Sequence, residues 1–239
     1  LFSIWNFPGP AKLVPVTDLD SAGLATAQSA EQRLIANLST PGLSDAVALY
    51  FDEKQPFAGR TFDSLGNNPR DRIVADDLLA VTLLDVRWTP LAVRRLLCDQ
   101  ADEVSKLLVE VDDKTEIGAP DSGSQLDTAG PLWELLCRLP GVRDTRASKL
   151  LARKRPRLIP ITDSIIVSAV GTPGHTWETM RHCFQDDLFC QAVKPLRPGN
   201  MESVSLLRIF DVAIWLLFSQ SKAAAKARRE TGVVPEVCA

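Results

Sequence analysis

A proline-glycine turn between two stretches of helical spacing constrains this chain most. From Gly130 to Val170 it reads GPLWELLCRLPGVRDTRASKLLARKRPRLIPITDSIIVSAV. Leu132, Leu135 and Leu136 share one helical face, Leu139-Pro140-Gly141-Val142 interrupts it, and Ala147, Leu150 and Leu151 begin a second. Apolar residues recurring three and four apart mark amphipathic helices, and a Pro-Gly pair between them marks a tight reversal. The expected unit is a helical hairpin, whose turn can aim backbone N–H groups at a phosphate. Behind it come a dense basic run, a crossing stiffened by Pro156 and Pro160, and Asp163 at the mouth of another apolar helix.

The remaining sequence carries helical periods and little strand signal, so the predicted class is all-α. Helices are expected over 29–38, 43–51, from Asp76 and Asp77 through Leu84, from Pro90 to about Cys98, over 101–109, and near 165–170, 177–184 and 201–218. The last has Val204, Leu207, Phe210, Ile214 and Leu217 in helical register. Residues 1–27, punctuated by Pro8, Pro10 and Pro15, read as extended, and 220–239 as a fraying tail. The expected organisation is an N-terminal helical lobe over 1–110, a polar linker over 111–129, the hairpin and its carboxylate over 130–170, and C-terminal helices over 171–239 packing back on the first lobe. The loop after residue 51 mixes aromatic and charged residues, a composition that often lines a site. Tyr50, Phe51, Asp52, Arg60 and Asp63 are its candidate base-pocket residues.

Net charge is -3, so the whole molecule does not advertise a polyanionic partner. The signal is local: Arg143, Arg146, Lys149, Arg153, Lys154, Arg155 and Arg157 stand against Asp144 alone, the footprint of a phosphate-binding patch. The same run also fits a solvated helix C-terminus, which favours basic residues. Five scattered cysteines read as reduced thiols rather than a disulfide framework. The apolar stretch from Val204 to Phe218 contains Arg208 and Asp211 and is too short and too charged to cross a bilayer. His175 and His182 form no metal set with a neighbouring Cys or Asp. With no basic leader and apolar run at the N-terminus, a cytoplasmic protein without membrane or metal is expected.

Leu139-Pro140-Gly141-Val142, then Ala147, then Pro160-Ile161-Thr162-Asp163 resembles the signature of helix-hairpin-helix base-excision DNA glycosylases. The span from Tyr50 to Phe218 is also similar to a divergent bacterial branch with runs like ASKLLARKRPRLIP. The resemblance implies a two-lobed helical fold with a cleft between the lobes, and Asp163 as catalytic carboxylate. It implies a hairpin grip on double-stranded DNA through Leu139, Pro140, Gly141, Val142, Arg143, Thr145, Arg146 and Lys149, extended by Arg153, Lys154 and Arg155. Thr145 stands 18 residues before Asp163, where lyase-type members carry their Schiff-base lysine, so a monofunctional enzyme is implied. Lys149 lies one turn further along the same face, and a minor lyase role for it stays open. Arg143 replaces the hairpin's usual second glycine. Cys183 and Cys190 have the first spacing of an iron–sulfur loop, but the remaining pair is missing, and no cluster is expected. No cofactor is required; a monovalent cation at hairpin carbonyls is implied by relatives.

The chemistry needs a carboxylate because cleaving an N-glycosidic bond builds positive charge on the sugar. Asp163 before Ser-Ile-Ile equally fits a plain helix N-cap, and the two roles are compatible. The expected reaction is hydrolysis of a modified base from DNA by a monomer, leaving an abasic site. Two settings stay open: housekeeping repair, and defence against phage DNA carrying bulky cytosines such as glucosylated hydroxymethylcytosine. The missing iron–sulfur loop and an unfamiliar N-terminal lobe favour defence. The competing class is a non-catalytic DNA-binding module.

Overall fold

The computed structural model describes residues 19–235. Among these every regular element is helical, as the periodicity predicts. Helix α1 (Ser21–Leu38) starts where Asp20 accepts Gly23 N–H at 2.8 Å. It begins eight residues earlier than predicted, and most of the expected extended N-terminal segment lies outside the described residues. Helix α2 (Leu43–Phe51) has the predicted bounds. Helices α3 (Ala75–Thr82) and α4 (Pro90–Arg94) follow, and a π turn over Arg95–Asp99 separates α4 from α5 (Ala101–Glu110). The hairpin is α6 (Ser122–Cys137) and α7 (Asp144–Lys154). Then come α8 (Ser164–Val170), α9 (Thr176–Gln185), α10 (Asp187–Val193), α11 (Leu206–Phe218) and α12 (Lys222–Thr231).

Two segments depart from expectation. The polar stretch read as a linker is helical from Ser122 onward, because its Leu126 and Ala129 are fully buried beneath polar neighbours. The tail read as fraying forms α12, capped by Ser221 and closed by Gly232 in the left-handed region. Its Ala224 and Ala227 pack inward, and small residues at that spacing carry little sequence signal.

The buried apolar residues form two clusters. One is continuous in sequence, from Phe62 to Ile159 on α3–α7, with Trp177 added; that indole meets Trp133 edge-on at 5.0 Å. The other joins the two ends of the chain: α1 and α2 pack with α8–α12 through residues such as Leu34, Val47, Phe189, Phe210 and Ile214.

The basic run corrects a prediction. Arg153, Lys154 and Arg155 are buried, so as placed they do not offer the phosphate contacts expected of them. Asp77, itself fully buried, accepts Lys154 Nζ at 2.6 Å and Arg153 Nε at 3.3 Å. Arg153 also donates to the carbonyl of Phe62, and Lys154 to Pro69 O at 2.8 Å. Arg155 donates to Val111 O at 2.7 Å and Arg70 O at 3.0 Å. Burial holds Lys154 below its ordinary value, against the pull of Asp77. Three cations on consecutive residues thus pin α7 to the loop over 62–70 and to the end of α5. Buried charges are tolerated only when paired in this way.

Candidate active site

The hairpin turn is held from both sides. Leu139 and Val142 are buried anchors, and Val142 N–H closes the turn on Leu139 O at 2.9 Å. Gly141 lies at the exposed tip with φ +78°, where a Cβ would meet Thr89 Cγ2 at 2.6 Å. Only glycine fits such a left-handed, closely approached position. Arg143 has φ -133° and is extended, so arginine costs nothing where the usual glycine is missing. Thr89 donates to Pro140 O at 2.7 Å, and Arg146 donates to Gly141 O at 2.6 Å and Arg87 O at 2.7 Å. A cation at the turn, as the resemblance implies, would share these carbonyls with the protein's own donors. Each of the turn's three carbonyls already accepts a hydrogen bond, and the Arg146 guanidinium stands beside them.

Asp163 is placed by α7 and α8 together. Ser148, fully buried on α7, accepts Thr162 N–H at 3.0 Å and donates to Thr145 O at 3.2 Å, which fastens the crossing strand to the hairpin's second helix. Asp163 then caps α8: its Oδ1 accepts Ile165 and Ile166 N–H, both at 3.1 Å. Its Oδ2 lies 3.3 Å from Lys149 Nζ, and that ammonium donates to Leu84 O at 2.9 Å. One oxygen is therefore held by the helix and the other paired with Lys149, and the residue lines a cavity.

The cavity measures about 580 Å³ and is lined by Thr145, Lys149 and Asp163 at one side and by Tyr50, Phe57 and Trp215 at another. That size is ordinary for a small-molecule site. The aromatic wall is a cluster of rings, with Tyr50 5.1 Å from Phe57 and 5.9 Å from Trp215. Between the two sides α11 presents Arg208, Asp211, Val212 and Trp215, one helical stripe. Arg208 is the hub beneath it. Its guanidinium donates to Asp63 at 3.2 Å, to Tyr50 Oη and Gly59 O at 3.1 Å each, and to Asp211. Burial opposes the charge on Arg208, but Tyr50, Asp211 and Asp63 hold its pKa above the ordinary value. Asp211 is pushed up to about 6, first by burial and then by Asp163, against Arg208 and Lys149. Asp63, Asp163 and Asp211 outnumber the two cations, so the local charge favours a positive transient.

The structure brings together Asp163, Thr145, Lys149 and Tyr50, with Asp63 behind Arg208. Other predicted pocket residues are elsewhere. Phe51 is core, Asp52 accepts Lys54 N–H at 3.0 Å, and neither these nor Arg60 lines the cavity. Sequence reasoning missed Arg208, Asp211 and Trp215 as site residues. The available signal was an Arg and an Asp three apart within an apolar helix.

No curated protein and no solved structure matches the chain. A family model described as "Family of unknown function (DUF6308)" matches residues 44–217, a span that includes Tyr50, Lys149, Asp163, Arg208, Asp211 and Trp215; the chain belongs to that family.

Proposed function

We propose that the protein is a monofunctional DNA glycosylase that hydrolyses the N-glycosidic bond of a modified base. The observation that carries this reading is the divided carboxylate of Asp163. One oxygen is fixed by α8 N–H groups and the other is paired with Lys149, and the residue lines a cavity that also takes in Thr145 and Lys149 of the hairpin's second helix. A carboxylate held that rigidly stabilises an oxocarbenium-like sugar without reorganising and orients the attacking water. The aromatic wall of Tyr50, Phe57 and Trp215 offers faces for an extruded base. The cavity has room for a flipped nucleotide whose base carries a substituent, and a cytoplasmic defence role is proposed ahead of housekeeping repair. Duplex grip falls to the exposed hairpin tip and to Arg143 and Arg146, since Lys149, Arg153, Lys154 and Arg155 are buried and the exposed Arg157 is paired with Glu116 at 2.7 Å.

The test is Asp163→Asn. Asparagine still caps the helix, so the fold and DNA binding are expected to stay near wild type while abasic-site formation disappears. Equal abasic-site formation by both proteins refutes the enzyme. The burial of Arg153, Lys154 and Arg155 favours one rival, a chain that does not hold DNA at all. That rival predicts no salt-dependent binding to duplex, whereas a phosphate grip predicts affinity falling with salt.

A further inference from the structure

We propose that Asp211 reads the edge of the extruded base and selects bases that present an exocyclic amine there. This inference rests on the glycosylase reading of the cavity. Asp211 shares the cavity with Asp163 but takes no part in the sugar chemistry proposed for that residue. Its carboxylate is fixed from below: Arg208 holds Oδ2, and Arg208 is itself locked by Asp63, Tyr50 and Gly59 O. Among the described residues no protein donor reaches Asp211 Oδ1. Trp215 stands one turn further along α11 on the same stripe and lines the same cavity, adding an aromatic side chain to its wall. A fixed acceptor without a donor, next to a ring face, is the arrangement that recognises a nitrogen-bearing base edge.

The chemistry sets the sign. An amine such as cytosine N4 or adenine N6 donates to the carboxylate. A keto oxygen at the same place sets lone pairs against it. Deamination converts the first into the second and places a hydrogen on the neighbouring ring nitrogen while keeping the ring skeleton, so amine and keto bases form pairs matched in shape. Groups facing Asp211 are Arg208 on its own helix, Lys149 on α7, Asp163 before α8 and, through Arg208, Asp63 and Tyr50. With its pKa near 6, Asp211 is mainly a carboxylate, and hence an acceptor, at neutral pH. Below that value it gains a proton and can donate to a keto oxygen.

The experiment uses duplexes carrying 5-hydroxymethylcytosine or 5-hydroxymethyluracil, and adenine or hypoxanthine, at one position. Released base is read under single turnover, and binding is read in parallel with 2′-fluoro versions that resist cleavage. The wild type is expected to favour the amine member by about tenfold or more. Asp211→Asn, whose amide both donates and accepts, is expected to bring the pair within about threefold. Asp163→Asn is expected to abolish release from both members while keeping the binding preference. Equal or inverted preference in the wild type overturns the proposal, as does full retention of the preference in Asp211→Asn. If neither these duplexes nor one carrying glucosylated 5-hydroxymethylcytosine releases a base, the glycosylase reading fails, and the binding arm still decides about Asp211. Should Asp211→Asn not fold, the wild-type preference measured from about pH 7.5 down to about pH 5.5 decides: it must shrink, and a constant preference overturns the proposal.

Discussion

Lys149 Nζ sits 3.3 Å from Asp163 Oδ2, and both side chains are largely buried, at 9% and 18% exposure. The same ammonium is tied to Leu84 O at 2.9 Å, so the pair links the hairpin's second helix, the capped carboxylate and the loop after α3. Misplacing a positioned group by about 1 Å costs up to about 10²-fold in rate. On the glycosylase proposal, Lys149→Met is therefore expected to lower kcat by about tenfold to a hundredfold with KM little changed. Borohydride reduction during wild-type turnover is expected to trap no covalent protein–DNA adduct. An adduct lost in Lys149→Met makes Lys149 a nucleophile and the enzyme bifunctional.

Asp77 compensates two interior cations, with Lys154 at 2.6 Å and Arg153 at 3.3 Å. Removing one partner of a buried pair leaves an unpaired charge and costs about 3–5 kcal/mol. Asp77→Asn is expected to lose stability on that scale in urea titration. A change below about 1 kcal/mol contradicts the buried-network account.

Glu31 is pushed up to about 7, first by burial and then by the neighbouring Asp186, and His182 Nε2 lies 3.3 Å away. The folded state keeps a proton that the unfolded chain has lost between the ordinary carboxylate value of 4.5 and about 7. Stability therefore falls as pH rises through that window and levels off above it. Glu31→Gln is expected to flatten this slope and to be the more stable protein at about pH 8. Parallel denaturation profiles for the two proteins exclude the effect.

Gly141 is expected to resist any side chain. Gly141→Ala meets both a left-handed backbone (φ +78°) and the Thr89 methyl at 2.6 Å, for a cost of about 1–3 kcal/mol. Thr89→Ser removes that methyl while retaining the hydroxyl that donates to Pro140 O. In a double-mutant cycle, the alanine substitution is expected to be milder in the serine background. Strict additivity contradicts direct contact.

Arg143 stands exposed at the start of α7, beside the hairpin tip. Arg143→Ala is expected to weaken duplex binding uniformly across sequences and to flatten the salt dependence by about one unit. A variant of unaltered slope places the DNA grip elsewhere.

The helical class and the hairpin were legible because apolar spacing and a Pro-Gly turn act locally. Asp163 was legible for the same reason, since its cap and the turn before it lie within one stretch of sequence. The fate of Arg153, Lys154 and Arg155 was not. Asp77, the partner of Arg153 and Lys154, lies 76 residues or more away, the carbonyls that take Arg155 belong to Val111 and Arg70, and a run of charges looks identical whether water or the interior receives it. The lining of the cavity was legible only in part, with Tyr50 in its wall and Asp63 behind Arg208. Composition pointed to the loop after α2, whereas α11, read through its apolar face, supplied Arg208, Asp211 and Trp215 from the other face.

The joining of both chain ends in one cluster has a consequence for synthesis on the ribosome. The segment from Phe62 to Ile159 can bury most of its own apolar surface as soon as it has emerged. Helices α1 and α2 emerge before that segment yet cannot complete their packing until the residues beyond Ile166 follow. They therefore stay uncovered while about a hundred intervening residues are made, an interval in which chaperone capture and premature association compete with docking.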